Sequence, residues 1–300
     1  MTPSLPIFHN LILSGGAFKA SAFIGCLKYL EENDMLKNIN NVIASSAGSI
    51  IGFLFCAGLD MKMLAAFMKK GIQKYVEKEI EIDDVLDIFD TLGIDDGKIF
   101  TDLAAEILTS RYKKKDITFV DFAKVTGKNL VILGSNISLA KTEYFSVDTT
   151  PLMSVITALR ISISIPFVMK PVVMNNMFYI DASLFNNFPI EYFDNSERPF
   201  QDTIALYLQC NLAEPNTKDV NLFKYMRIIF DAMFVKLNEK QKPLGKNNIV
   251  IEMNFPDDSY GFDINTLKLI MDEKSMHKYI DLGYNSIKDK LESTRSTKQM

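Results

Sequence analysis

Tryptophan is absent from this 300-residue chain, histidine occurs only twice, and only five of its 33 basic residues are arginine. Scarce arginine leaves few of the two-pronged forks that grip phosphate. A net charge of −4 lacks the basic footprint of a dedicated nucleic-acid binder. The three cysteines, Cys26, Cys56 and Cys210, are odd in number and show no paired spacing, which argues against a disulfide framework and for a reducing interior. Each lies among apolar residues, so buried, inert thiols are expected. The N-terminal stretch MTPSLPIFHN has neither the basic region nor the small-residue cleavage site of a secretory signal, so the expected location is cytoplasmic, at most peripheral on a membrane. Repeats and low-complexity tracts are also missing. What is present is globular: 48% apolar and 23% charged residues. The length fits two domains or one large α/β domain, with room for a core and a pocket.

One stretch tests that picture. Val42–Leu59 runs 18 residues without a charge, the length at which a membrane span is suspected. Ser45, Ser46, Ser49 and the Ala47-Gly48 pair break it up, and a strand, a tight turn and a buried helix account for it better. The surrounding pattern agrees. Asn10–Leu13 reads as a buried strand, Phe18–Leu30 as a helix, Asn41–Ser45 as a strand and Ala47–Ala57 as a helix. This is the β–loop–α rhythm of a doubly wound α/β fold.

Downstream, Met61–Lys78 reads as an amphipathic helix and Glu81–Leu108 as an acidic helical stretch interrupted at Gly93 and Gly97. Together they form a helical insertion, about residues 60–115. Strands are expected at Asn129–Leu133 and Glu143–Val147 and a helix at Pro151–Leu159. Pro166 and Pro171 bracket a loop, and a hairpin crosses Asn175-Asn176 between Val172–Met174 and Met177–Ile180. Thr203–Leu208 and Ile249–Met253 read as strands, Leu222–Leu237 and Leu267–Ile287 as helices, and residues 292–300 as a polar tail that frays.

Three motifs carry chemistry. Gly15 to Ala20 (GGAFKA) lies between a strand and a helix, where adjacent glycines let backbone N–H groups face an anion. A plain tight turn or a nucleotide-phosphate loop are the other readings. The dinucleotide pattern fails because Ala17 and Ala20 stand where it requires glycine, and no G-K-[ST] follows. Ala44 to Gly48 (ASSAG) resembles the G-x-S-x-G nucleophile elbow, with Ala44 for the first glycine. Ile180 to Pro189 (IDASLFNNFP) places Asp181 at the end of an apolar run, where a carboxylate reaches an active-site crevice or merely closes an Asx turn.

In this order the motifs resemble those of the patatin-like phospholipases. The family's G-G-G-x-[KR]-G corresponds to Gly15–Ala20, its G-x-S-x-G to Ala44–Gly48 and its D-G-[GA] to Asp181-Ala182-Ser183. The N-x-P that follows in the family has its counterpart in Asn187-Phe188-Pro189. Ala158–Phe167 (ALRISISIPF) is similar to the family's A-S-x-x-x-P-x-x-F stretch. The resemblance spans about Leu11 to Pro189. It implies a three-layer α/β/α fold with a mostly parallel central sheet, residues 1–291 as a single domain, and a lipid acyl hydrolase of phospholipase A or lysophospholipase type. Ser46 would be the nucleophile and Asp181 its base, with Gly15, Gly16 and Ala17 as the oxyanion hole. Glycine is lost at Ala17, Ala20, Ala44 and Ala182, and each loss removes freedom at positive φ. A degenerate lipid- or acyl-binding member is the alternative.

A Ser–Asp dyad needs no histidine, which suits a chain whose His9 and His277 both read as peripheral. It also needs no metal or organic cofactor. An ordinary Asp, pKa ~3.9, is a feeble base, so burial must raise its basicity and the oxyanion hole must supply much of the catalysis. Lys19 has two readings: a cation near the oxyanion or a lipid phosphate, or a solvated lysine. The expected partners are a phospholipid or other acyl-ester lipid and a peripheral membrane surface. Two helices offer the surface contact: Met61–Lys78 with five lysines, and Leu222–Leu237 with Phe223, Met226, Ile229, Phe230 and Met233. Ordinary core packing is the competing account of both.

Overall fold

A computed structural model of the chain describes residues 7–77, 88–193, 202–209, 222–238, 249–255 and 273–297. Its strands are β1 (Asn10–Leu13), β2 (Asn41–Ala44), β3 (Gly93–Asp95), β4 (Asn129–Asn136), β5 (Lys141–Phe145), β6 (Phe167–Met169), β7 (Val172–Met174), β8 (Met177–Ile180), β9 (Thr203–Leu208) and β10 (Ile249–Met253). Its α-helices are α1 (Ser21–Glu32), α2 (Ala47–Cys56), α3 (Met61–Glu77), α4 (Ile88–Thr91), α5 (Lys98–Tyr112), α6 (Phe119–Thr126), α7 (Val155–Ser162), α8 (Leu222–Asn238) and α9 (Glu273–Thr297).

Eight strands form one sheet in the order β10-β9-β1-β2-β4-β8-β7, with β5 also on β4. The five from β10 to β4 are parallel. Parallel strands are buried on both faces and alternate between two cores. Leu11 and Leu13 pack into the larger cluster with α1 and α2, while Ile12, Ile43, Val131 and Ala205 face a second cluster with Phe188, Ile190 and Phe193. Segment 182–193 covers that second face in two 3-10 turns, with α8 packed against the first. This is the expected mostly parallel α/β architecture.

The register also determines what meets at the sheet's C-terminal end. Ile132 pairs with Ala44 of β2 and with Phe145 of β5, so these strands flank opposite edges of β4. Ser135 pairs with Thr142 of β5 and with Ile180 of β8. β8 therefore lies on the same edge of β4 as β2 and runs antiparallel to it. The two strands point their C-terminal ends at each other along one line, with Leu133 and Gly134 of β4 spanning the gap. Residues that follow β2 must meet residues that follow β8, although 135 residues separate Ser46 from Asp181 in the chain (181 − 46).

Several expectations are corrected. Gly93–Asp95 is not a gap in a helix but a strand, paired in parallel with β6, which itself occupies the loop expected between Pro166 and Pro171. No local periodicity marks three-residue strands held by a distant partner. Helix α7 starts four residues later than expected, where Ser154 accepts the Thr157 N–H as a cap. Helix α9 continues through 292–297, and residues 298–300 lie outside the described ones. It is held down early by a close crossing: a Cβ on Gly25 would lie 1.8 Å from Ile280 O, and one on Gly283 1.9 Å from Ala22 O. The expectations for residues 78–87 and for Cys210 fall outside the described residues. The uncharged stretch Val42–Leu59 is β2, a turn and α2, and among the described residues no helix is long and apolar enough to cross a membrane.

Candidate active site

Ser46 stands between β2 and α2 at φ 50°, ψ −129°, a conformation L residues avoid. Neighbours hold it there. Its N–H donates to Ser162 Oγ at 3.0 Å, and its carbonyl accepts from Ser49 Oγ at 2.5 Å. Close approach of α2 to β1 needs a bare Cα at Gly48, where a Cβ would sit 2.4 Å from Ser14 O. Ala44 in place of the elbow's first glycine sits in an ordinary strand, so its Cβ costs nothing in conformation.

Asp181 follows β8 and is 3% exposed. Its Oδ2 accepts the Ser46 hydroxyl at 2.6 Å, and its Oδ1 accepts the Ser183 N–H at 2.8 Å. Its own N–H is fixed by Ser164 O at 2.9 Å. Burial pushes its carboxyl up to about 6, against the pull of the Ser46 and Ser183 hydrogen bonds. Ala182, where glycine is usual, is not at positive φ, so the replacement does not displace the aspartate.

The glycine loop forms the third side. The Gly15 N–H donates to Asn187 O at 3.2 Å, whereas the Gly16 and Ala17 N–H groups have no backbone partner among the described residues. Gly16 and Ala17 line the cavity with Ser46 and Asp181, and Gly15 does not. Gly15 is packed beneath: a Cβ there would lie 2.3 Å from Ser183 Oγ, 2.5 Å from Asn187 Oδ1 and 2.9 Å from Ser46 Cβ. Ala17 adopts φ 48°, the one lost glycine of the four that leaves a residue at positive φ. Ala20 is helical and fully buried.

Ile165, Ser183, Asn187, Phe230 and Phe234 complete a cleft of about 340 Å³, part of it open to solvent. Asn238, at the end of α8, ties that helix to the aspartate loop. It accepts the Asn187 N–H at 2.8 Å and donates to Ser183 O at 2.9 Å. Ser45 Oγ donates to Asn186 O at 3.1 Å, so the elbow too is bonded to the loop. Asn238 carries no sequence signal and only its tertiary contacts reveal it, whereas Ser162 lies in the Ala158–Phe167 stretch, whose role against Ser46 the tertiary contact reveals.

Other candidates lie elsewhere. Lys19 is neither solvated nor at the cavity: it is buried, with Nζ 5.1 Å from the centroid of the Phe255 ring. His9 is exposed beside Asp202 and His277 is exposed on α9. Cys26 and Cys56 are buried, and burial pushes both thiols up, Cys56 to about 12. Among the described residues no three His, Cys, Asp or Glu side chains are grouped to hold a metal ion.

Comparison with known proteins follows the same residues. A family profile described as patatin-like phospholipase matches residues 11–194. The chain is 32% identical over 187 residues to "Probable lipid hydrolase 463L" of Invertebrate iridescent virus 6, covering 61% of this chain and 62% of that protein. It is likewise 32% identical over 188 residues to "Uncharacterized protein R571" of Acanthamoeba polyphaga mimivirus, covering 62% of this chain and 61% of that one. The match thus spans about three fifths of the length of these curated relatives. Among solved structures, VipD from Legionella pneumophila superposes with a TM-score of 0.55 at 16% identity, over 96% of this chain and 67% of that one, a likeness of fold.

Proposed function

The chain belongs to the patatin-like phospholipase family, and from that premise we propose that it is a serine lipid acyl hydrolase of phospholipase A or lysophospholipase type, working through Ser46 and Asp181. The observation that carries the reading is the 2.6 Å bond from Ser46 Oγ to the buried Asp181 carboxylate, made at a positive-φ turn that opens on the cavity. The name of the iridescent-virus relative, a probable lipid hydrolase, is consistent with it.

In this mechanism Ser46 Oγ attacks the ester carbonyl carbon while its proton passes to Asp181. The oxyanion that forms accepts from the N–H groups of Gly16 and Ala17, two residues that line the cavity. Collapse breaks the bond to the alcohol, which leaves with the proton from Asp181, and the acyl group stays on Ser46. Water then attacks the acyl-enzyme, gives its proton to Asp181, and the fatty acid departs as that proton returns to Ser46 Oγ. A carboxyl raised to about 6 suits both directions, being ionised at neutral pH yet a better proton acceptor than an exposed aspartate. The mechanism uses no cofactor, and residues 1–291 act in it as one unit. The partners are an acyl-ester lipid and the membrane surface that holds it.

A fluorophosphonate probe tests the reading. Labelling should fall on Ser46 and vanish in Ser46→Ala, and Asp181→Asn should lower phospholipid hydrolysis about 10⁴-fold. Full hydrolysis by Ser46→Ala overturns the dyad. Lipid binding without labelling or turnover would instead make the chain a binding protein on a hydrolase fold.

A further inference from the structure

Helix α8 has two apolar faces. One turns Phe230 and Phe234 to the cavity, their ring centroids 6.5 Å apart. Beside it run Leu222, Tyr225, Ile229, Met233 and Leu237. Their spacing of three, four, four and four residues makes a single stripe on an α-helix. All five are exposed, from 42% at Leu237 to 57% at Tyr225. No other described helix carries more than one exposed large hydrophobic residue. The contrast with α3 is direct: its Met61, Leu64, Phe67, Met68 and Ile72 are all buried, and its Lys70 is paired with Glu106. Core packing explains α3 and leaves the outer stripe of α8 unexplained.

Charge narrows the occupant. The α8 sequence holds Lys224, Arg227 and Lys236 against Asp231, a balance of 3 − 1 = +2 in a chain whose total is −4. A cationic helix with an apolar outer stripe suits an anionic lipid surface. We propose that the outer stripe of α8 docks the protein on a bilayer containing anionic lipids, with the helix axis lying in the interface. The proposal rests on the lipid-hydrolase reading and gives it a direction. An interfacial helix sits at the boundary between head groups and acyl chains, the depth at which acyl-ester carbonyls lie. Phe230 and Phe234 lie about 100° round the helix from Ile229 and Met233, so less than one helix width, about 10–12 Å, separates that boundary from the cavity flank they form.

The test is flotation of the full chain with phosphatidylcholine vesicles containing or lacking one-third phosphatidylglycerol, run beside hydrolysis of soluble nitrophenyl butyrate. Wild type should float with the anionic vesicles. The double variant Ile229→Glu/Met233→Glu should lose at least tenfold in bound fraction, while butyrate turnover stays within twofold of wild type, which also shows that the variant is folded. Lys62→Glu on α3 should float as wild type does. Undiminished flotation of the double variant overturns the docking face, as does a wild-type dimer, seen by light scattering, that the variant converts to monomer. A wild type that floats through the stripe yet hydrolyses no ester would overturn the hydrolase reading and leave the docking face standing.

Discussion

The candidate site has two unlike walls. The wall that would do the chemistry is built from backbone at strand ends: Ser46 after β2, Asp181 after β8 and the Gly15–Ala17 loop after β1. Hydrogen bonds tie its parts to one another, through Ser162, Ser45, Ser164 and Asn187. The facing wall is Phe230 and Phe234 on α8, fixed to the first through the side chain of Asn238. One wall is preset by these hydrogen bonds, as the proposed proton transfer and oxyanion binding would demand. The other is a helix surface of rotatable rings, which suits acyl chains that differ in length. Damage to the first wall should harm every substrate equally; damage to the second should depend on chain length.

The sharpest way to break that division is Gly15→Ala. The added methyl would overlap the side-chain ends of Ser183 and Asn187 and the Cβ of Ser46, so Ser46 or the glycine loop beneath it must shift. A displacement near 1 Å costs about 10²-fold in rate, and the loss should appear in kcat for short and long esters alike. An effect confined to long-chain substrates would show that the walls are not separate. Phe234→Ala probes the other side. Loss of one aromatic contact, about 1.5 kcal/mol, should raise KM for long-chain esters roughly tenfold and leave butyrate turnover unchanged.

A smaller effect follows from Asp181. Its carboxyl, at 3.8 for an ordinary aspartate, is raised to about 6 by burial. The base must be ionised, so kcat/KM should climb with pH and level off above about 6. Because the raised value means that the folded state holds its proton more tightly, the same group makes the fold lose stability as pH rises from about 4 to about 6. The Ser183 side chain also lowers this carboxyl. Ser183→Ala should therefore move the acid limb upward, and a limb that stays fixed or falls would remove Asp181 as its source.

How much of this was legible beforehand differs from residue to residue. Gly15-Gly16, Ser46 and Asp181 sit in short local patterns, and local pattern was enough to place them at strand ends. The Asn175-Asn176 hairpin was legible for the same reason, since both residues adopt the positive φ that its turn requires. What the sequence hid is non-local. Lys19 reads equally as a cation at the site or as a solvated lysine until Phe255, 236 residues later, covers it (255 − 19). Gly93–Asp95 is a strand only because Phe167–Met169 lies beside it. Whether a lost glycine matters depends on φ, which Ala20, Ala44, Ala182 and Ala17 do not advertise, and only the last is left at positive φ.

That difference supplies the mildest and most discriminating test. Ala17 and Ser46 both sit at positive φ, 48° and 50°, on the same wall. The strain at Ser46 is held by bonds to Ser162 and Ser49, and in the proposed mechanism it aims the attacking hydroxyl. Ala17 lines the cavity, and the role proposed for it rests on its N–H, which glycine would present equally well. An alanine there costs about 1–2 kcal/mol, and glycine returns part of that as extra freedom in the unfolded chain. Ala17→Gly should therefore stabilise by about 0.5 kcal/mol, a rise of roughly 1–2 °C in Tm for a chain of this size. Hydrolysis should stay within twofold. A tenfold fall in kcat would mean that the chemical wall depends on the rigidity Ala17 imposes, and that strain as well as hydrogen bonding keeps the proposed oxyanion donors in place.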